Sequence, residues 1–422
     1  MSTDMSNGMS IGKALLRKVP GLRTPGMKFP CKTLCCCLPA LAMLLGASGA
    51  VAETRGYAIS LIYTASYSDA ENCPKGGNGG TSEMKQRILL SRGYTKEQAF
   101  KIIAANDVDD KGQKIEFKMR GVMDGHPADV ADFPMSYPDP HIETVQGRLA
   151  YGFNLDGQAG PNSFEDPQTH EKGVDNQMWR VLGCFANYQV RPPVIPYNES
   201  IVWDTAMDSM PAWLVSIAGG DLNKDGEVTV TFDRALNVLM RDAHGAVLPG
   251  SSYTIDRDPR SHSVFKGHIK DQVVSIEPGN FFMQGESQFY AVLRFTHTQL
   301  RLKLNPSGTL SGLIGGYQPW LDYYHYLSIR GEGDGLVDLP GTYYAMKRLA
   351  DADPDPATGE NRAISSAYYI EAAPVFLTSV AGQVVSTAYA GDGSSQAPVV
   401  KEGVAKEDTV ARQDAPARPA PR

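Results

Sequence analysis

Oxygen-bearing side chains crowd three loops of this sequence, in patterns suited to binding a hard cation or to carboxylate acid–base chemistry. The first loop lies within residues 144–184. There Asp156, Asp175 and Asn176 are donors of the kind calcium takes. Glu165 and Asp175 are the pair of carboxyls a glycosidase would use as acid and base. The second loop, Asp221-Leu-Asn-Lys-Asp-Gly-Glu, sets Asp221, Asn223 and Asp225 at alternate positions, as at the start of an EF-hand loop. Phe232 stands where that loop needs its closing bidentate carboxylate, and strand-like residues follow, so a β-hairpin turn explains the pattern better. The third, Asp351-Ala-Asp-Pro-Asp, is broken by prolines and lacks a terminal carboxylate, which argues against metal binding.

A fourth feature is aromatic. Tyr317, Trp320 and Tyr324, with Tyr323 and Tyr326 beside them, could stack on sugar rings, although alternation assigns half of this patch to a core. No H-E-x-x-H, G-x-S-x-G, Walker A or Rossmann fingerprint occurs. The glycines of Gly331-Glu-Gly-Asp-Gly335 lack a lysine and read as a turn. Histidines are scattered without metal-ligand spacing, and no C-x-x-C-H offers a haem attachment.

The elements that must hold these loops are mainly β. From 213 to 329, short β-like runs recur with turns every 8–12 residues or so, the signature of an antiparallel sandwich or barrel. The clearest hairpin alternates Leu300, Leu302 and Leu304 with Arg301 and Lys303, then turns at Asn305-Pro-Ser-Gly308. Residues 144–153 also alternate, which predicts a strand leading into the first loop. Helices are expected at 82–91, at 95–105 behind a Thr95/Gln98 capping box, at 175–185 and at 341–352. The segments 320–329 and 364–377 are ambiguous between helix and strand. The expected fold is mainly β with minor α: an antiparallel β-sandwich or barrel with a small N-terminal helical portion. A signal region (1–52), an N-terminal segment with a helical hairpin (53–143), a β-rich domain (144–390) and a disordered tail (391–422) divide the chain.

Targeting and charge narrow the function classes. Residues 27–52 show the basic, apolar and A-x-A regions of a secretory signal peptide, cut before Glu53, with Met27 as the expected start codon. No lipobox-like pattern precedes the clustered cysteines. Removing six Lys/Arg and one Asp from totals of 40 and 47 leaves 34 basic and 46 acidic residues, net −12. So acidic a chain without a basic run is a poor partner for nucleic acid, which also sets aside a faint helix-turn-helix pattern at 82–105. No later stretch approaches 18 apolar residues or so, and no membrane span is expected in the mature chain. Only Cys73 and Cys184 survive processing, and in an oxidising compartment they read as one disulfide.

The runs T-V-x-G-R (144–148), Y-G-x-N-L-D-G (151–157), P-N-S-F (161–164), G-V-D-N-Q (173–177) and R-x-L-G-C (180–184), with D-P-x-T-G-E-N (355–361) and I-S-S-A (364–367), resemble a family of secreted proteobacterial proteins with no assigned activity. The resemblance covers most of residues 53–380 and implies export and a shared fold. It transfers no activity. The resulting expectation is a periplasmic or secreted, non-enzymatic β-rich protein that binds a ligand or acts as a structural or accessory factor, its partner an unknown ligand or an envelope protein. A carboxylate-dependent hydrolase acting on glycans is the alternative.

Overall fold

Period-two alternation is plainest at His262–Lys270, where Ser263, Phe265, Gly267 and Ile269 are buried while Val264, Lys266 and His268 are exposed. A strand with one apolar side must lay it against other such strands, and here eight of them close on themselves. The computed structural model of the chain describes residues 53–105, 108–112, 120–196, 199, 203, 209–285, 292–334, 337–386, 388–389 and 395–396. The expected signal region and nearly all of the expected tail lie outside the described residues.

In chain order, β1 (Glu53–Thr64) leads to helices α1 (Thr81–Ser91) and α2 (Lys96–Ala104). Two small hairpins follow, β2 (Arg120–Met123) with β3 (His126–Asp129) and β4 (Phe164–Glu165) with β5 (Lys172–Val174), then helix α3 (Gln177–Leu182). Next come β6 (Pro211–Gly219), β7 (Gly226–Val238), β8 (Ser252–Thr254), β9 (His262–Lys270), β10 (Val273–Ile276), β11 (Gly279–Met283), β12 (Leu293–Leu304) and β13 (Leu310–Pro319). Helices α4 (Trp320–Asp334) and α5 (Leu339–Leu349) precede β14 (Ala352–Pro354) and β15 (Asn361–Thr378).

The sheet runs β1-β6-β7-β9-β10-β12-β13-β15 and returns to β1, every pair antiparallel. Each stave thus pairs with the next stave in the sequence: an up-and-down barrel. Of the two expected architectures, the barrel is the one formed. Eight strands leave an interior just wide enough for side chains to fill. A ladder of rings does so, Phe232, Phe281, Phe295 and Tyr368, with centroid spacings of 5.1, 5.7 and 5.7 Å. The outward Lys266, His268 and Lys270 of β9 oppose the pattern of a lipid-facing barrel, whose outer surface is apolar. Among the described residues no helix is long and apolar enough to cross a membrane.

Two long excursions leave the barrel. The first, between β1 and β6, holds α1, α2 and the acidic loop. Thr95 and Gln98 form the expected capping box on α2. The second, between β13 and β15, holds α4 and α5. Trp320, Tyr323, Tyr324 and Leu327 are buried at helical spacing, which settles the ambiguous 320–329 segment as helix. The ambiguous 364–377 segment lies inside the 18-residue strand β15, which joins β13 on one side and β1 on the other.

The expected strand at 144–153 is a correction. That segment makes only isolated bridges, Leu149 to Glu165 and Phe153 to Asp175. Its alternating residues have a different use. Tyr151, Phe153 and Leu155 pack with Leu313, Tyr317, Ala363 and Ala367 into a second, smaller core on β13 and β15. Gly315 makes room for this: a Cβ there would meet the Phe153 ring at 2.9 Å. The loop is therefore a cover on the barrel wall.

Candidate functional site

The acidic loop is held by named contacts at each end. Cys73 and Cys184 form the expected disulfide, with a Cα separation of 5.7 Å. Asn176 caps α3 by accepting from the Trp179 amide at 3.0 Å, and its side-chain amide donates to the Tyr151 carbonyl at 2.8 Å. From the barrel, Arg301 on β12 donates to Asp166 at 3.0 Å, to Glu171 at 3.1 Å and to the Gly152 carbonyl at 2.8 Å.

Those bonds decide where the calcium candidates stand. Asn176 is engaged as a cap. Asp175 accepts from the Leu155 amide at 2.8 Å, and Asp156 from the Gln158 amide at 2.7 Å. In the β6–β7 turn, Asn223 accepts from Arg55 at 2.9 Å, Asp225 from the Asp271 amide at 2.9 Å, and Asp221 pairs with Lys224 at 2.8 Å. Among the described residues no three His, Cys, Asp or Glu side chains are grouped to hold a metal ion. This turn joins two neighbouring barrel staves, the hairpin role its sequence favoured.

The two carboxyls considered for glycan hydrolysis face different partners. Glu165 contacts His170 at 3.3 Å near the surface. Asp175 is buried and answers to a carboxyl missed in the sequence pairing, Asp351. Ser365 on β15 donates its hydroxyl to Asp351 at 2.6 Å and accepts the Gln177 amide at 2.9 Å, linking that acid to the start of α3. Burial raises Asp175 to about 6, against the donation from Leu155, and Asp156 and Asp351 add repulsion. Burial likewise raises Asp351 to about 6, opposed by its bonds from Ser365. Tyr317 sits in the field of all three acids. Burial first, then Asp175, Asp351 and Asp156, push its hydroxyl far above the usual tyrosine range.

On the other side of Tyr317 the surface opens into a hollow of about 830 Å³. It forms where β13 runs without a loop into α4 and where β11 lies against β12. Tyr317, Trp320, Phe281, Phe282 and Phe295 supply rings, Leu321 an exposed aliphatic side, and Asn280, Thr296 and Asn361 polar edges. Trp320 is fixed in two directions: its indole donates to the Asn361 carbonyl at 3.1 Å, and its ring meets Tyr343 at 5.3 Å. Trp320 and Tyr317 are 8% and 9% exposed, so each presents a strip of ring to the hollow rather than an open face. Tyr324, the third member of the expected platform, is a correction. It is fully buried, its hydroxyl donating to the carbonyls of Val130 and Ala131, which leaves no ring face open for stacking.

The charged rim of the hollow comes largely from the third acidic loop. Asp353 and Arg362 bond at 2.9 Å, and Asp355 accepts from the Ala357 and Thr358 amides, which hold it below the usual carboxylate range. Arg294 and Asp322 close the opposite side at 2.8 Å. Sequence reading singled out Tyr317, Trp320 and the Asp351–Asp355 run separately. It missed Phe281, Phe282, Arg294 and Arg362, which carry no local pattern and meet only where β11 pairs with β12 and the end of β15 comes alongside. It also missed Glu199, buried whole, which accepts from the Thr64 amide and hydroxyl and is raised by burial to about 7.

Comparison with known protein-family models, curated proteins and solved structures gives no match, so the site is read from this chain's own residues.

Proposed function

We propose that this chain is an exported, non-enzymatic binding protein of the cell envelope, and that its ligand is a saccharide seated in the hollow beside Tyr317 and Trp320. The observation that carries this reading is the hollow itself: about 830 Å³ with ring edges on one side and bonded Arg–Asp pairs on the other. Binding sites of this size bury most of a small ligand, with apolar walls for area and a few fixed polar groups for orientation. A sugar has the matching duality of an apolar ring face and a hydroxyl rim. The Cys73–Cys184 disulfide is in keeping with an oxidising compartment, and membership of the secreted proteobacterial family that the 144–184 motifs resemble belongs to the same reading.

A glycan array probed with wild-type protein and with Leu321→Trp tests it. Leu321 is 43% exposed on the wall, so the larger side chain fills the hollow without entering the core. Saccharide signals that vanish in Leu321→Trp support the site, whereas signals equal in the two proteins place binding elsewhere.

Asp175 and Asp351 favour a second reading, hydrolysis. Two carboxyls raised to about 6 hold protons at a pH where ordinary carboxyls have lost them, which is what a general acid requires. Release of reducing ends from a panel of polysaccharides, lost in Asp175→Asn or Asp351→Asn, supports hydrolysis. No release from any of them rejects it.

A further inference from the structure

We infer that the saccharide of the hollow carries a positive charge, as an amine-bearing sugar does; this rests on the reading of the hollow as a ligand site. Four carboxylates line it, Asp322, Asp353, Asp355 and Glu360, against two guanidiniums, Arg294 and Arg362. The pairing leaves one acid over. Asp322 has Arg294 at 2.8 Å, and Glu360 has Lys347 at 3.0 Å. Arg362 alone serves two, Asp353 at 2.9 Å and Asp355 at 3.9 Å. Asp355 is the under-compensated group, and the two backbone amides that bond it keep it ionised across the physiological range.

A second source of negative potential lies behind the wall. Asp156, Asp175 and Asp351 all act on the Tyr317 hydroxyl, while the same residue lines the hollow. The guanidiniums of the lining are already bonded to acids. An anionic sugar would meet the surplus carboxylate directly. A neutral sugar fits the walls but leaves that carboxylate unanswered. An ammonium placed near Asp355 answers it.

Isothermal titration of the full exported protein near pH 6.5 with three matched trisaccharides tests this. The probes are the glucosamine trimer, the N-acetylglucosamine trimer and cellotriose. The amine trimer is expected to bind at least about tenfold more tightly than its acetylated counterpart. That gap should narrow several-fold in 0.5 M salt, as expected for ion pairing partly open to solvent. Asp355→Asn keeps an oxygen for the Ala357 and Thr358 amides. It should weaken the amine trimer several-fold and leave the acetylated one unchanged. Equal or tighter binding of the neutral trimers, abolished by Leu321→Trp, overturns the charge inference and keeps the hollow as a saccharide site. Binding by none of the three, or binding that Leu321→Trp leaves intact, overturns both.

Discussion

Arg301 on β12 and Asp166 in the acidic loop bond at 3.0 Å, and the Asp166 carboxylate is 1% exposed. The same guanidinium reaches Glu171 and the Gly152 carbonyl and lies 4.9 Å from the Phe153 ring centroid. One barrel side chain thus fastens the loop cover at four points. Arg301→Ala leaves a buried carboxylate without its cation, a change that costs about 3–5 kcal/mol when a pair is fully enclosed. Arg301 is partly exposed, so the lower part of that range is expected. Thermal unfolding should show the loss, with Arg301→Lys recovering part of it. An unchanged melting temperature in Arg301→Ala would remove Arg301 as the clasp.

The disulfide fixes the other end of the same cover. Cys73 and Cys184 are 111 residues apart, and a loop that long contributes about 4–5 kcal/mol in the chain-entropy model. The cover's apolar anchorage is confined to a few residues such as Tyr151, Phe153 and Leu155. The double variant Cys73→Ala/Cys184→Ala should therefore lose hydrogen-exchange protection at 144–184 before the staves lose theirs. Loop and barrel exchanging together would mean that the disulfide stabilises the whole unit evenly.

Acid should stabilise this protein near neutrality. Asp175 and Asp351 rise to about 6 in the fold and Glu199 to about 7, each above its ordinary carboxyl value. The native state then binds protons more tightly than the unfolded chain. The stability these groups add is complete below the unfolded values near pH 4 and is lost as pH rises through 6–7. For the buried Asp175 this is on the order of 2 kcal/mol, and less for Asp351, an exposed residue whose contribution solvent screens. Melting temperature should rise by several degrees from pH 8 to pH 5, and Asp175→Asn should flatten the profile. A melting temperature that falls over that interval contradicts the assignment.

Local chemistry made much of the fold legible. The capping box at Thr95 and the Asn305–Gly308 turn are each complete within a few residues, and each forms as read. The 144–153 segment misled because alternation reports which residues are buried, not what they pair with. Tyr151, Phe153 and Leu155 do turn to an apolar surface, but it is the outer wall of β13 and β15 rather than a neighbouring strand. The hollow was half legible. Tyr317, Trp320 and the 351–355 acids stand out by composition, whereas Phe282 and Arg294 reach the same space only because β11 lies against β12. Tyr324 looked like Tyr317 in sequence, yet helical spacing turns it inward.

Gly315 shows how closely the cover depends on its seat. A Cβ at that position would meet the Ser366 carbonyl at 2.7 Å as well as the Phe153 ring. Gly315→Val should displace Phe153 and open the cover to limited proteolysis within 144–176, with the far-ultraviolet dichroism of the barrel retained. Equal resistance of variant and wild type would show that the wall yields without moving the loop.

The central claim is that the hollow beside Trp320 is where a ligand sits. Of the four tryptophans, Trp179, Trp203 and Trp213 are at most 1% exposed and lie away from the hollow's lining, whereas Trp320 forms part of it. The indole N–H resonances in a two-dimensional nitrogen–proton spectrum therefore give one reporter and three internal controls. On titration with the glucosamine trimer, the Trp320 resonance should shift in a saturable manner while the other three hold still. A saturable shift confined to Trp179, Trp203 or Trp213, or no shift in any of the four, would contradict the account.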